Sequence, residues 1–151
     1  MLSINIESTA ESCKATVYAY DIYEHRVELI KKSAQRLGLK NIITGINDAL
    51  IYNENLPFAD RIICDVPCSG FGIIRRKPEI RYKNLDDIKE LPQIQYNILF
   101  TSSRYLKSGG VIIYSTCTLN KKENEQVVDR FLNDNTDFSL VESKTEKKKK
   151  N

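Results

Sequence analysis

Ile62-Ile63-Cys64-Asp65-Val66-Pro67-Cys68-Ser69-Gly70 is the stretch on which the reading of this chain turns. The apolar run Ile62 to Cys64 reads as a buried strand that begins at Arg61. Past its end stand an acid, a stiff proline and a thiol, and Gly70 then releases the turn. In open α/β sheets the ligand crevice lies outside the carboxyl ends of the strands, so these groups stand where a site forms. A second apolar run, Val111-Ile112-Ile113-Tyr114, is closed by Thr116-Cys117-Thr118. Two thiols at two strand ends, with Asp65 beside one of them, form the constellation on which the functional reading rests.

Working outward, Thr16 to Tyr20 is a strand by its β-branched and aromatic content, and it ends at Asp21. From Glu24 to Leu37 the residues Val27, Ile30, Ala34 and Leu37 fall at helical spacing, with Gly38 as the stop. Asn41 to Gly45 is a short strand, followed by a loop with Asn47-Asp48. Strand, helix and strand in this order favour a parallel sheet, hence an α/β fold. The loop after Cys64 is long and basic and runs to about Asn84. Pro92 suits the first turn of a helix, where its missing N–H costs nothing. Ile94, Ile98 and Ser102 with Tyr105-Leu106 mark the inner face of that helix, and Gly109-Gly110 end it. Asn120 and Glu123 resemble a capping box opening a helix that buries Val127, Val128, Phe131 and Leu132. Phe138, Leu140 and Val141 are expected to begin a last strand. Residues 1 to 15 carry little signal beyond the suggestion of a helix end.

The chain has 151 residues, enough for one domain with a real core. No apolar run approaches the roughly 20 residues that cross a bilayer, and no signal peptide is evident, so a cytoplasmic location is expected and no membrane partner. Cys13, Cys64, Cys68 and Cys117 do not form a disulfide framework in such a chain. With His25 the only histidine and no tight ligand spacing, no metal site is expected. Net charge is +3, and without Lys147 to Lys150 it is about −1. The basic character is therefore local. One cluster is Arg75-Arg76-Lys77 with Arg81 and Lys83, next to the thiol loop and suited to phosphate contact; the other is the tail, residues 143–151, expected to be disordered.

Taken singly, the candidate residues have ordinary alternatives. Asp21 suits either a cofactor ribose or a helix cap. Asp65 suits a carboxylate satisfied by turn donors, and Cys68 and Cys117 suit small buried apolar groups. Ser69 and Ser115 have no histidine near them in sequence, which leaves a serine hydrolase little support. A nicotinamide enzyme is disfavoured because no Gly-x-Gly turn precedes the strand that ends at Asp21.

Together they carry more. Asp65 to Gly72 runs into Arg75-Arg76-Lys77-Pro78-Glu79-Ile80-Arg81-Tyr82, and Tyr114 to Leu119 is followed by Glu123-Asn124-Glu125. From about Ala15 to Val141 this resembles the Sun (Fmu) family of RNA cytosine-5 methyltransferases, above all its RsmB branch, which acts on 16S ribosomal RNA. The resemblance implies a Rossmann-like class I methyltransferase sheet over residues 1–142 and S-adenosylmethionine as cofactor. It also implies methyl transfer through a covalent adduct of cysteine with carbon 6 of cytosine. In that scheme Cys117 attacks, Cys68 assists release, and Asp65 faces the base edge. Asp21 holds the cofactor ribose and Asp48 lies by the adenine, while Arg75, Arg76, Lys77 and Arg81 grip RNA phosphates. The family opens its catalytic domain with a strand and a Gly-rich Ala-Pro-Gly-Gly-Lys turn that this sequence lacks. The sheet is accordingly expected to be truncated, without its first, central strand and its last one. The alternative implied is a catalytically inactive fragment that retains at most RNA binding.

Overall fold

The computed structural model describes residues 15–73 and 85–141. Its elements run β1 (Val17–Asp21), α1 (Glu24–Arg36), β2 (Ile42–Ile46), β3 (Ala59–Asp65), α2 (Leu85–Ser103), β4 (Leu106–Ser115) and α3 (Glu125–Asp134). Short 3-10 turns occupy Phe71–Ile73 and Lys121–Glu123.

β1 and β2 pair in parallel, with Val17 opposite Ile42 and Asp21 opposite Ile46. β3 and β4 also pair in parallel, with Arg61 opposite Val111 and Asp65 opposite Ser115. The expected parallel α/β arrangement is therefore present, as two sheets of two strands each. Among the described residues no strand joins β1 to β3, in agreement with the absent central strand.

Alternation along β1 buries Val17, Ala19 and Asp21 and leaves Tyr18 and Tyr20 half-buried. α1 covers this pair through Val27 and Ala34, and Gly38 follows it at φ 68°. Leu37, which its spacing assigns to the inner face, is 63% exposed because it is the C-cap and the chain turns away there. On the other pair, Ile62, Cys64 and Val66 pack with Ile98 of α2. The adjoining face of α2 presents Leu99 to Val127 and Phe131 of α3. Burying each such aliphatic or aromatic side chain contributes about 1.5–3 kcal/mol, so α2 is held by two clusters.

That double burial explains why Pro92 lies inside α2 rather than at its start. The proline forfeits the bond to the carbonyl four residues earlier, a cost of about 3 kcal/mol, and the apolar contacts in the two clusters offset it. Gly109-Gly110 do not end the helix but lie within β4, where the pairing slips between Ala59–Leu106 and Arg61–Val111. Residues 138–141 form no strand; Phe138 folds back edge-on against Phe131, 5.0 Å between ring centres, and Leu140 and Val141 are exposed. The capping box is present in altered form. Asn120 caps the 3-10 turn by accepting from the Lys122 N–H, while Asn124 stands at the N-cap of α3. The suggested helix end near residue 1, Cys13, the basic cluster and the tail lie outside the described residues.

Candidate active site

Because Asp65 and Ser115 are register partners, the loops that follow β3 and β4 leave the sheet side by side. The Val66 N–H extends the ladder by one bond to the Ser115 carbonyl, 3.1 Å. Cys68 and Cys117 meet just beyond it: the Cys117 N–H donates to the Cys68 sulfur over 3.2 Å. The two cysteines singled out in the sequence thus lie side by side, the Cys68 sulfur against the Cys117 backbone. Cys68 is half-buried and Cys117 is exposed, whereas Cys64 is packed into the core. Burial, and then the neighbouring Cys117 side chain, push the Cys68 thiol up to about 11. Cys68 is therefore protonated at neutral pH. Holding this sulfur neutral prevents two thiolates from standing side by side.

Gly72 belongs to the same junction. Its N–H donates to the Cys117 carbonyl, 3.1 Å, and a Cβ there would stand 2.8 Å from that oxygen. Only a residue without a side chain lets the 3-10 turn approach the Thr-Cys loop so closely.

A polar layer underlies both loops. Ser69 and Thr118, the residues after the two cysteines, share a 2.7 Å hydrogen bond between their hydroxyls. Glu123 is fully buried; its Oε2 accepts from the Ser69 N–H (2.8 Å) and Gln95 Nε2 (3.1 Å) and its Oε1 from Asn120 Nδ2 (2.9 Å). Burial alone would raise its pKa, but the donors from Ser69, Asn120 and Gln95 outweigh burial and bring it below the usual value. Asn124 Nδ2 donates to the Thr118 carbonyl over 2.9 Å, and the Thr116 hydroxyl donates to Asn124 Oδ1, so this amide spans Cys117. Tyr114 donates to the Glu123 carbonyl over 2.6 Å. Sequence reading assigned no site role to Glu123, Asn124 or Gln95. A glutamate three residues after an asparagine reads as a helix cap. The available signal for Gln95 was its place one residue after Ile94 and four before Leu99, on the stripe that α2 buries.

A cleft of about 480 Å³ opens between the two strand pairs, lined by Tyr18 and Asp21 on one side and Asp65, Ile98 and Cys117 on the other. Asp21 is 2% exposed. Its Oδ1 accepts from the Tyr23 N–H over 3.0 Å, while Oδ2 has no hydrogen-bond partner and lies 3.7 Å from Arg26 Nη1. One oxygen thus holds the strand–helix turn and the other is available, an arrangement that suits a diol donor such as a ribose. Asp48 also lines the cleft, and its Oδ1 accepts from the Leu50 N–H over 2.9 Å within its own turn. Burial raises the Asp65 carboxyl above its usual value. Arg75, Arg76, Lys77 and Arg81 lie outside the described residues. His25 is exposed and rests against the Tyr23 ring, 5.6 Å between centres. Among the described residues no cluster of His, Cys, Asp and Glu has the make-up of a metal site, and no helix is long and apolar enough to cross a membrane.

The chain is similar to known proteins. A family model described as 16S rRNA methyltransferase RsmB/F matches residues 7–151. The probable ribosomal RNA small subunit methyltransferase B of Bacillus subtilis is 44% identical over 129 residues, covering 83% of this chain and 29% of that protein. The ribosomal RNA small subunit methyltransferase B of Yersinia pseudotuberculosis is 38% identical over 136 residues, covering 87% and 31%. The crystal structure of NSun6 from Pyrococcus horikoshii with SFG superposes with a TM-score of 0.71 at 30% identity, over 80% of this chain and 31% of that one. The chain spans about three-tenths of the length of these curated relatives. The fold is that of a Rossmann-like methyltransferase, with two parallel strand pairs among the described residues, and the chain belongs to the RsmB/F family of 16S rRNA methyltransferases.

Proposed function

We propose that this chain carries the two-thiol half of an RNA cytosine-5 methyltransferase site, acting on small-subunit ribosomal RNA. The observation that carries the reading is the 3.2 Å approach of the Cys117 N–H to the Cys68 sulfur at the ends of adjacent parallel strands. Carbon 5 of cytosine is a poor nucleophile, and a thiolate added at carbon 6 makes the ring enamine-like. Cys117, exposed at the cleft, suits that attack; it forms the sulfur–carbon bond and leaves when the carbon-5 proton has been removed. Cys68, held neutral by burial, is the poorer nucleophile and suits the assistance of release. Asp65, beside the cleft with a raised pKa, faces the N3/N4 edge of the base and stabilises the adduct as charge shifts. The relatives' names support ribosomal RNA as the acceptor. Bringing the base out of its stack costs a few kcal/mol, and Arg75, Arg76, Lys77 and Arg81 are assigned to phosphate contact that helps meet it.

S-adenosylmethionine, when bound, supplies the methyl group. The neighbour solved with SFG, an analogue of it, supports this cofactor, and Asp21 Oδ2 is the oxygen available to its ribose; Asp48 is assigned to the adenine. The test uses small-subunit rRNA and S-adenosylmethionine, read on a denaturing gel. Cys68→Ala is expected to accumulate a covalent protein–RNA species and Cys117→Ala none. A species that persists in Cys117→Ala would reverse the assignment. A second reading, a non-catalytic chain that at most binds RNA, is favoured by the cleft between β1 and β3 that no described strand fills. Absence of heat on titrating S-adenosylmethionine into the chain would select it.

A further inference from the structure

We propose that Glu123 is the positioning residue of the two-thiol site, clasping the Pro-Cys loop onto the Thr-Cys loop and so setting the separation of the two sulfurs. The proposal rests on the two-thiol reading above and adds a residue to it. Glu123 touches neither sulfur, yet one of its oxygens holds the N–H of Ser69, the residue that follows Cys68. Its other oxygen holds Asn120, whose own N–H donates to Thr118 Oγ1 over 3.2 Å. Thr118 follows Cys117 and is bound to Ser69, so the carboxylate, both loops and the 3-10 turn close a single ring of hydrogen bonds. Gln95 adds a tie to the scaffold. Its Nε2 reaches both the Pro67 carbonyl, 2.8 Å, and Glu123 Oε2, which fixes the residue before Cys68 to α2.

A carboxylate suits this place because all three of its neighbours are donors. An amide at the same position would turn N–H groups toward at least one of them, leaving a buried donor unpaired. The shape of the side chain would survive and the clasp would open. Glu123→Gln therefore separates charge and acceptor capacity from volume.

The test measures sulfur proximity without RNA or cofactor, in a Cys13→Ser background where Cys64 is buried. Phenylarsine oxide condenses with two thiols held close together, forming two arsenic–sulfur bonds and releasing one water. The parent chain is expected to take up one equivalent and lose two titratable thiols. In Glu123→Gln, folded by circular dichroism, arsenical affinity is expected to fall at least tenfold, while alkylation of Cys117 by iodoacetamide stays within twofold. Affinity within twofold of the parent in the folded variant would overturn the proposal, as would failure of the parent to bridge. If Glu123→Gln does not fold, Asn120→Ala decides, with an expected loss of about threefold; parental affinity there would also overturn it. If bridging behaves as expected and the Cys68→Ala adduct does not form, the methyl-transfer reading falls and the clasp stands.

Discussion

Ser69 and Thr118, each the residue immediately after a cysteine of the site, join their buried hydroxyls over 2.7 Å across 49 positions of sequence. The two loops are therefore held together beneath the sulfurs as well as by the Cys117 N–H on the Cys68 sulfur. The backbones on either side of the two thiols are pinned by this contact.

Gly72→Ala is expected to disturb the Thr-Cys loop more than the fold. Its Cβ would meet the Cys117 carbonyl at 2.8 Å, and the backbone must shift to relieve the clash. The thermal midpoint should drop by a few degrees, while the adduct yield in the Cys68→Ala background falls at least tenfold. An unchanged yield would show that the approach of the two segments is not needed.

The raised pKa of Cys68 fixes its reactivity against pH. With a value of about 11, roughly one thiol in ten thousand is ionised at pH 7. In a Cys13→Ser, Cys117→Ser chain, alkylation of Cys68 should climb steadily from pH 7 to 9 without a plateau. Removing Cys117 takes away one cause of the shift, yet burial is the larger cause and remains. A plateau below pH 8.5 would contradict the role of burial.

Asp21→Asn should weaken S-adenosylmethionine about tenfold or more, because it replaces Oδ2, which lacks a hydrogen-bond partner, with a donor where a ribose hydroxyl needs an acceptor. The Tyr23 N–H keeps its acceptor, so the melting temperature is expected to move by only a few degrees. Calorimetry and a thermal melt on the same variant check both halves; equal affinity would remove Asp21 from the cofactor site.

Glu123 makes stability depend on acid. Its folded pKa lies below the ordinary 4.5, so its contribution is present above that value and is lost as pH falls through the folded one. Urea midpoints measured from pH 7 to pH 3 should fall more steeply for the parent than for Glu123→Gln. Parallel curves would mean that the carboxylate is not the group responsible.

Phe131→Ala is expected to cost about 3–5 kcal/mol, since the ring is 2% exposed and lies between Leu99 and Phe138. Leu140→Ala, at a position 72% exposed, should stay within about 0.5 kcal/mol. Denaturant titrations of the two variants would separate core from surface at this end of the chain.

What the order of residues determined by itself was local and periodic. β-Branched runs marked β1 to β4, helical spacing marked α1 and the inner stripe of α2, and the Pro-Cys and Thr-Cys motifs marked the two loops that meet. Those signals arise within a few residues of one another, where backbone sterics and side-chain periodicity decide the outcome. Pro92 inside α2, Gly109-Gly110 inside β4 and the fold-back of Phe138 depended instead on burial against distant partners, which overrides local preference. The role of Glu123 depended on the same thing. As one link in a chain it reads as a surface cap; only the parallel register of β3 and β4 carries Ser69 and Thr118 together above it and makes a buried carboxylate the cheapest way to satisfy three donors at once.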